Sequence, residues 1–261
     1  MKILFIGDIF GEPGITAIEK HLKKYINANK IDFVIAQGEN ASGRKGLIPK
    51  DYNRMKVAGV DVFTMGNHVW AKEQILEIIE NQDIVRPYNI DKGYSGRGTN
   101  VFTIKGKTLR VTSLLGNEFN DLRTGWDQKR SGNFFNAFDK IQKEDSADYH
   151  IIDFHGEVTS EKNVFSLYVD GKATAVLGTH THVQTSDARI LPKGTAYITD
   201  AGATGPINGA IGADYNSVYQ KMRYNKASKF KVSTNSVELN GCLLYINKNG
   251  VKIEAVKKAW R

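Results

Sequence analysis

Lys2-Ile3-Leu4-Phe5-Ile6-Gly7 is a short apolar run that a glycine closes and Asp8 follows. Apolar residues without polar alternation read as a strand buried on both faces. Ile15, Ile18, Leu22, Tyr25 and Ile26 then recur at helical spacing, predicting a helix over Ile15–Asn29. Asp32–Ala36 is a second buried strand, and Pro49–Ala58 opens with a proline suited to a first helical turn. Val60–Met65 reads as a third strand and Lys72–Glu80 as a third helix. Strands alternating with helices imply a parallel sheet joined by right-handed crossovers.

Beyond residue 100 the pattern changes. Asn100–Gly116 reads as a hairpin turning at Lys105-Gly106-Lys107, and Phe134–Lys143 as a helix. Tyr149–Phe154, Ala173–Leu177 and Thr195–Thr199 are short buried strands, and Val237–Val256 is a meander turning at Lys248-Asn249-Gly250. The expected fold is α/β, with two packed mixed β-sheets flanked by helices. The sequence carries no repeat, low-complexity tract or long linker, so one domain over residues 1–261 is expected.

Composition narrows the classes. One cysteine, Cys242, excludes an internal disulfide and a cysteine metal cluster. The N-terminal apolar run is too short for a secretion leader, and no stretch reaches membrane length. A cytoplasmic protein without a membrane partner is expected. The net charge of +8 can attract anionic substrates or RNA, but the lysines are scattered, so charge adds little to the case for RNA. Gly106-Lys107-Thr108 imitates the end of a phosphate-binding loop, yet the earlier glycine is absent and the segment lies in a hairpin. Asn40-Ala41-Ser42 matches a glycosylation sequon, which carries nothing in a cytoplasmic protein.

Polar residues gather where strands end: Asp8 after the first, Glu39 and Asn40 after the second, Asn67 and His68 after the third. His155 closes a later strand, and His180 and His182 follow another. Each has an ordinary structural reading, such as a helix cap for Asp8, a turn residue for Asn67 or a hydrogen-bonded structural histidine for His155. Five strand ends carrying metal-ligand residue types beside glycines point jointly to a site beyond the carboxyl ends of the sheet. Of the six histidines, only His21 and His150 lie outside these segments, and both read as structural. Carboxylates, amide oxygens and imidazoles without thiolate suit Fe, Mn, Zn or Co better than Mg or Ca. Glu39 could bridge two ions, and ions roughly 3.5–4 Å apart can share a hydroxide.

These segments resemble the calcineurin-like metallophosphoesterase superfamily, which carries a D-x-H, G-D, G-N-H, H and G-H-x-H series in this order. The matching residues are Gly7-Asp8-Ile9-Phe10, Gly38-Glu39-Asn40, Gly66-Asn67-His68, His155 and Gly178-Thr179-His180-Thr181-His182. More narrowly the chain is similar to the bacterial YmdB-like family of cyclic-nucleotide phosphodiesterases. Arg86-Pro87, Thr159-Ser160-Glu161-Lys162, Val183-Gln184-Thr185, Tyr197-Ile198-Thr199-Asp200 and Thr204-Gly205-Pro206 extend that likeness over nearly the whole chain. Phe10 in place of the superfamily histidine, and Glu39-Asn40 in place of its aspartate, are expected in the narrower family. Ala71 is a departure from it, since an aspartate is common there, and the hydrogen bond of that carboxylate would be missing. Gly116–Asn133 also diverges and bears on substrate choice.

The resemblance implies a four-layer sandwich of two sheets and flanking helices. It implies that Asp8, Glu39, Asn40 and His182 hold one metal, and that Glu39, Asn67, His155 and His180 hold the other. His68 would lie over the phosphate and protonate the leaving oxygen. The implied cofactors are two transition-metal ions, Fe or Mn first and Zn as the alternative. The implied activity is hydrolysis of 2′,3′- and 3′,5′-cyclic nucleotides by a hydroxide that bridges the metals, with RNA metabolism as the wider context. Rival readings are a nucleotidase, an RNA-acting phosphoesterase, or a regulatory nucleotide-binding protein with a metal site. His68 favours catalysis, because binding alone needs no acid there. The sequence is compatible with a homo-oligomer.

Overall fold

The computed structural model describes all residues except 121, 123–127, 145, 228 and 261. From the N-terminus come β1 (Lys2–Ile6), β2 (Asp8–Ile9), α1 (Gly11–Asn29), β3 (Phe33–Gln37), α2 (Pro49–Ala58), β4 (Val62–Thr64) and β5 (Ile84–Val85). The second half adds β6 (Thr99–Ile104), β7 (Lys107–Leu115), α3 (Phe134–Ile141), β8 (Tyr149–His155), α4 (Thr159–Tyr168) and β9 (Ala175–Thr179). Then follow β10 (Arg189–Ile190), β11 (Ala196–Ile198), β12 (Ala203–Pro206), α5 (Tyr215–Tyr224), β13 (Val237–Asn247) and β14 (Gly250–Trp260).

These strands form two mixed sheets. One runs β2-β12-β13-β1-β3-β4-β5 with β14 on β13, and the other runs β10-β11-β9-β8-β7-β6. β1, β3, β4 and β5 are parallel, as are β7, β8, β9 and β11, so two sets of carboxyl ends exist to build a site. The period-two alternation of β1 explains its unbroken apolar run. Ile3 and Phe5 face Val111, Ile151 and Leu177 of the other sheet. Leu4 and Ile6 face Ile15, Ile18 and Leu22 of α1. On the far side Ile152, Phe154 and Val176 pack against Phe134 and Phe138 of α3 and Phe165 of α4. The layers are helix, sheet, sheet, helix, as the sequence led us to expect.

Several elements differ from expectation, three of them with a clear physical reason. α1 begins at Gly11, four residues before its apolar stripe. Pro13 sits in the first turn, where its missing N–H costs nothing, and a Cβ at Gly14 would lie 2.7 Å from the Thr204 carbonyl oxygen. Lys72–Glu80 is not an α-helix but holds one 3₁₀ segment, Glu73–Glu77. Successive i→i+3 bonds, Ile78 N–H to Ile75, Asn81 N–H to Ile78 and Ile84 N–H to Asn81, carry the chain straight into β5. α4 escaped the sequence reading because its pattern is inverted: Lys162 is fully buried while Val164 and Leu167 are more than half exposed. In the divergent segment, the Asn117 and Glu118 N–H groups donate to Glu161. Residues 121 and 123–127 of that segment lie outside the described residues.

Lys162 is buried because it is paired. Its Nζ lies 3.0 Å from Asp200 Oδ2, both side chains being fully buried, and also donates to the Thr179 carbonyl. Asp200 accepts in turn from the N–H groups of Thr181 and Gly202. The pair thus ties α4 to the ends of β9 and β11. Breaking a buried pair by removing one partner costs about 3–5 kcal/mol, because a charge is left uncompensated. Lys162→Met should lower unfolding stability by that amount in urea titration. Adding Asp200→Asn should restore part of the loss, and an unchanged urea midpoint in the single variant would show that the pair clamps nothing.

Candidate metal centre

All eight residues singled out in the sequence stand at strand carboxyl ends and meet on one edge of the sandwich. Asp8 follows β1, Glu39 and Asn40 follow β3, and Asn67 and His68 follow β4. From the other sheet come His155, the last residue of β8, and His180 and His182, which follow β9. Close approach needs glycine here: a Cβ at Gly66 would lie 2.5 Å from both Glu39 Oε2 and His155 Nε2.

The geometry centres on His155 Nε2, which is fully buried. Glu39 Oε1 lies 3.0 Å from it, Asn67 Oδ1 3.0 Å and His180 Nδ1 2.9 Å. Behind the ring, His155 Nδ1 is 2.9 Å from Thr179 Oγ1, whose hydroxyl donates to Asp153 Oδ1 at 2.6 Å. The Gln37 side-chain amide also reaches His155 Nδ1, at 3.1 Å, so Thr179 and Gln37 together fix the ring with Nε2 turned toward the cluster. Burial disfavours charge on His155, but the Glu39 carboxylate outweighs it and pushes the imidazole up to about 9. Burial and the neighbouring His155 push His180 down to about 3. Glu39 resists burial through His155 and His68, which hold its carboxyl far below the usual range. The cluster thus demands one positive charge among its lone pairs, and a proton on His155 stands where a cation would.

A second set of donors lies beside it. His182 Nδ1 is 3.0 Å from the Ile211 carbonyl oxygen, so this nitrogen carries the proton and Nε2 is left as a lone pair, 3.7 Å from Asp8 Oδ1. Asp8 Oδ1 and Asn40 Oδ1 are buried without a hydrogen-bond partner. Burial raises the Asp8 carboxyl above its ordinary value. Two orphaned buried oxygens and an imidazole lone pair are what a cation would satisfy. The full set of carboxylates, amide oxygens and imidazoles fits a transition metal. His180 and His182 both have positive φ, 100° and 65°, a costly conformation for non-glycine residues. Asp8 Oδ2, accepting from the His180 N–H, and Asp200 Oδ2, accepting from the Thr181 N–H, hold the segment there.

His68 lines a cavity of about 380 Å³ above these donors, and its backbone N–H donates to Glu39 Oε2. Arg44 and Lys45 stand at the cavity wall. Ala71 is exposed and donates its N–H to the His68 carbonyl. Sequence reasoning missed the supports. Gln37, Thr179, Asp153 and the Lys162–Asp200 pair surround the donors, and Glu157 lies 3.2 Å from His180 Nε2. A strand-end position was the available signal for Gln37 and for Thr179, which directly precedes His180. His21 packs by Trp260, and His150 bonds Thr112, both away from the centre.

Residues 4–259 match the family described as YmdB-like protein. The chain is 41% identical to a Bacillus subtilis protein named 2′,3′-cyclic-nucleotide 2′-phosphodiesterase, covering 98% of this chain and 96% of that protein. A crystal structure described as a novel phosphatase from Mycoplasma pneumoniae superposes with a TM-score of 0.91 at 36% identity, over 99% of this chain and 93% of that one. The NAD nucleotidase of Haemophilus influenzae shares the fold alone, with a TM-score of 0.60 at 16% identity over 99% of this chain and 55% of that one. With its metallophosphoesterase fold and a match over nearly its whole length, the chain belongs to the YmdB-like family.

Proposed function

We propose that this single-domain chain is a metal-dependent phosphodiesterase that hydrolyses cyclic nucleotides, 2′,3′-cyclic ones first and 3′,5′-cyclic ones second. The observation that carries the reading is the convergence of Glu39, Asn67 and His180 on His155 Nε2, beside the orphaned oxygens of Asp8 and Asn40. The relative named as a 2′,3′-cyclic-nucleotide 2′-phosphodiesterase supports the substrate class. Asp8, Glu39, Asn40 and His182 would hold one ion, and Glu39, Asn67, His155 and His180 the other, with Fe or Mn preferred and Zn next. Such ions supply Lewis-acid polarisation of phosphoryl oxygens and a nucleophile at neutral pH.

The chain's own residues do the rest. Thr179 and Asp153 fix the His155 ring, and the Ile211 carbonyl fixes the His182 tautomer. Water attacks phosphorus and forms the new P–O bond, the bond from phosphorus to the ribose 2′ oxygen breaks, that oxygen leaves with a proton from His68, and the proton that the attacking water releases restores His68. The product is a nucleoside 3′-phosphate. A ribose alkoxide is a poor leaving group, so the proton matters most for this bond.

Two experiments test the assignment. Native protein should contain two transition-metal ions per chain by elemental analysis, and Glu39→Ala should lose both ions together with activity. One ion or none in the native protein after incubation with Mn or Fe would sink the dinuclear reading.

His68→Ala should keep the metals and lose roughly 10²–10⁴-fold in kcat on a 2′,3′-cyclic nucleotide. Its loss on a nitrophenyl phosphodiester, whose phenolate leaves without a proton, should be much smaller. Equal losses would point to charge stabilisation instead of proton donation, and metal loss would make His68 a ligand.

A further inference from the structure

The cavity over the donors has two unlike sides. Its floor is polar and comes from strand ends. The opposite wall comes from Ile211, Val218, Met222 and Phe230, which face the same space. None of these four side chains carries a hydrogen-bonding group, and two are conspicuously exposed: Ile211 at 57% and Met222 at 81%. Exposed apolar side chains grouped at a cavity are a binding feature. Arg44 adds a cation to this wall, its guanidinium 5.6 Å from the Phe230 ring centre.

The wall is built, not draped. Ala213 bridges Val232, the Ser233 N–H donates to Gly212, and the Asp214 N–H donates to Lys231, which holds Phe230 beside α5. Asp214 also caps α5 by accepting from the Ser217 N–H at 2.8 Å. Ile211 has φ of 47°, an outlier for a β-branched residue. The same residue's carbonyl accepts from His182, so the wall and the donor floor are fixed to each other.

We propose that Ile211, Val218, Met222 and Phe230 form the nucleobase site, gripping the apolar face of the base while the phosphate lies on the strand-end floor. This rests on the cyclic-nucleotide reading for the phosphate but names a different set of residues. A flat apolar ring attached to an anionic diester matches an apolar wall facing a cation-seeking floor with Arg44 between them. The volume of about 380 Å³ suits one nucleotide, since small-ligand pockets run from about 300 to 1,000 Å³. A wall without donors or acceptors reads no base edge, so it accepts any base, as stacking platforms do.

The test compares adenosine 2′,3′-cyclic phosphate with base-free ribose 2′,3′-cyclic phosphate, using the intact metal-loaded protein. Calorimetric binding of adenosine 3′-monophosphate and ribose 3-phosphate runs alongside. The wild type should favour the nucleotide in both readouts. In Met222→Ala and Phe230→Ala the ratio of nucleotide to base-free kcat/KM, and the ratio of the two affinities, should fall ~10-fold, mainly through KM. Val57→Ala, an exposed apolar residue of α2, should leave both ratios unchanged. Adenosine, guanosine, cytidine and uridine substrates should agree within about tenfold. Equal losses on both substrates, or unchanged ratios, would overturn the proposal, as would a preference above a hundredfold for one base. If no cyclic phosphate is hydrolysed yet nucleotide affinity still depends on Met222 and Phe230, the base site stands and the assigned reaction falls.

Discussion

A cluster of lone pairs cannot be buried without a positive charge among them, and this constraint organises the molecule. Glu39, Asn67 and His180 all turn an acceptor toward His155 Nε2, and Asp8 and Asn40 keep oxygens without partners. In an apolar interior each such group costs free energy unless a proton or cation satisfies it. Burial disfavours charge on His155, yet the Glu39 carboxylate beside it favours the charged form. Everything that holds these groups in place works against their mutual repulsion.

The fold supplies that force by using two sheets. Asp8, Glu39 and Asn67 come from one set of parallel strands and His155 and His180 from the other, so the cluster straddles the inter-sheet core. Rigid packing of Ile3 and Phe5 against Ile151 and Leu177 fixes the distance between the two sets. The strained backbone at His180 and His182 is then over-determined from both sides: Asp8 accepts from the His180 N–H, and Asp200 accepts from the Thr181 N–H and from Lys162. A buried ion pair is weak evidence for stability as such. Its value here is positional, since Lys162 reaches the carbonyl of Thr179, the residue paired with His155 across β8 and β9.

The eight donor-type residues and the parallel core were legible because each has a local signature. A glycine-bounded apolar run announces a strand, and Asp, Glu, Asn or His just past it announces a site. What failed had no such signature. Lys72–Glu80 has helical spacing, but its need to reach β5 quickly turned it into 3₁₀ turns. α4 hid because tertiary pairing buries Lys162 and leaves Val164 and Leu167 in solvent, the reverse of an amphipathic pattern. α5 hid because only Val218 among its residues is buried. Gln37, Asp153 and Thr179 carry no ligand signature of their own, and their role follows from neighbours more than twenty residues away in the chain.

This division has a physical cause. Groups that gather around a cation must be few, polar and fixed, so they fall at strand ends, where a regular backbone aims them and sequence motifs record them. The wall facing them has only to present apolar surface at the right distance, a task that many side chains in many local conformations can meet. The wall residues come from α5 and the segments that flank it, and they are tied to the floor through a hydrogen bond from His182 Nδ1 to the Ile211 carbonyl. That bond fixes the position of the wall against the floor. Floor and wall are thus two parts of one cavity: the first is held by donor chemistry, and the second presents apolar side chains from a backbone that His182 anchors at the Ile211 carbonyl.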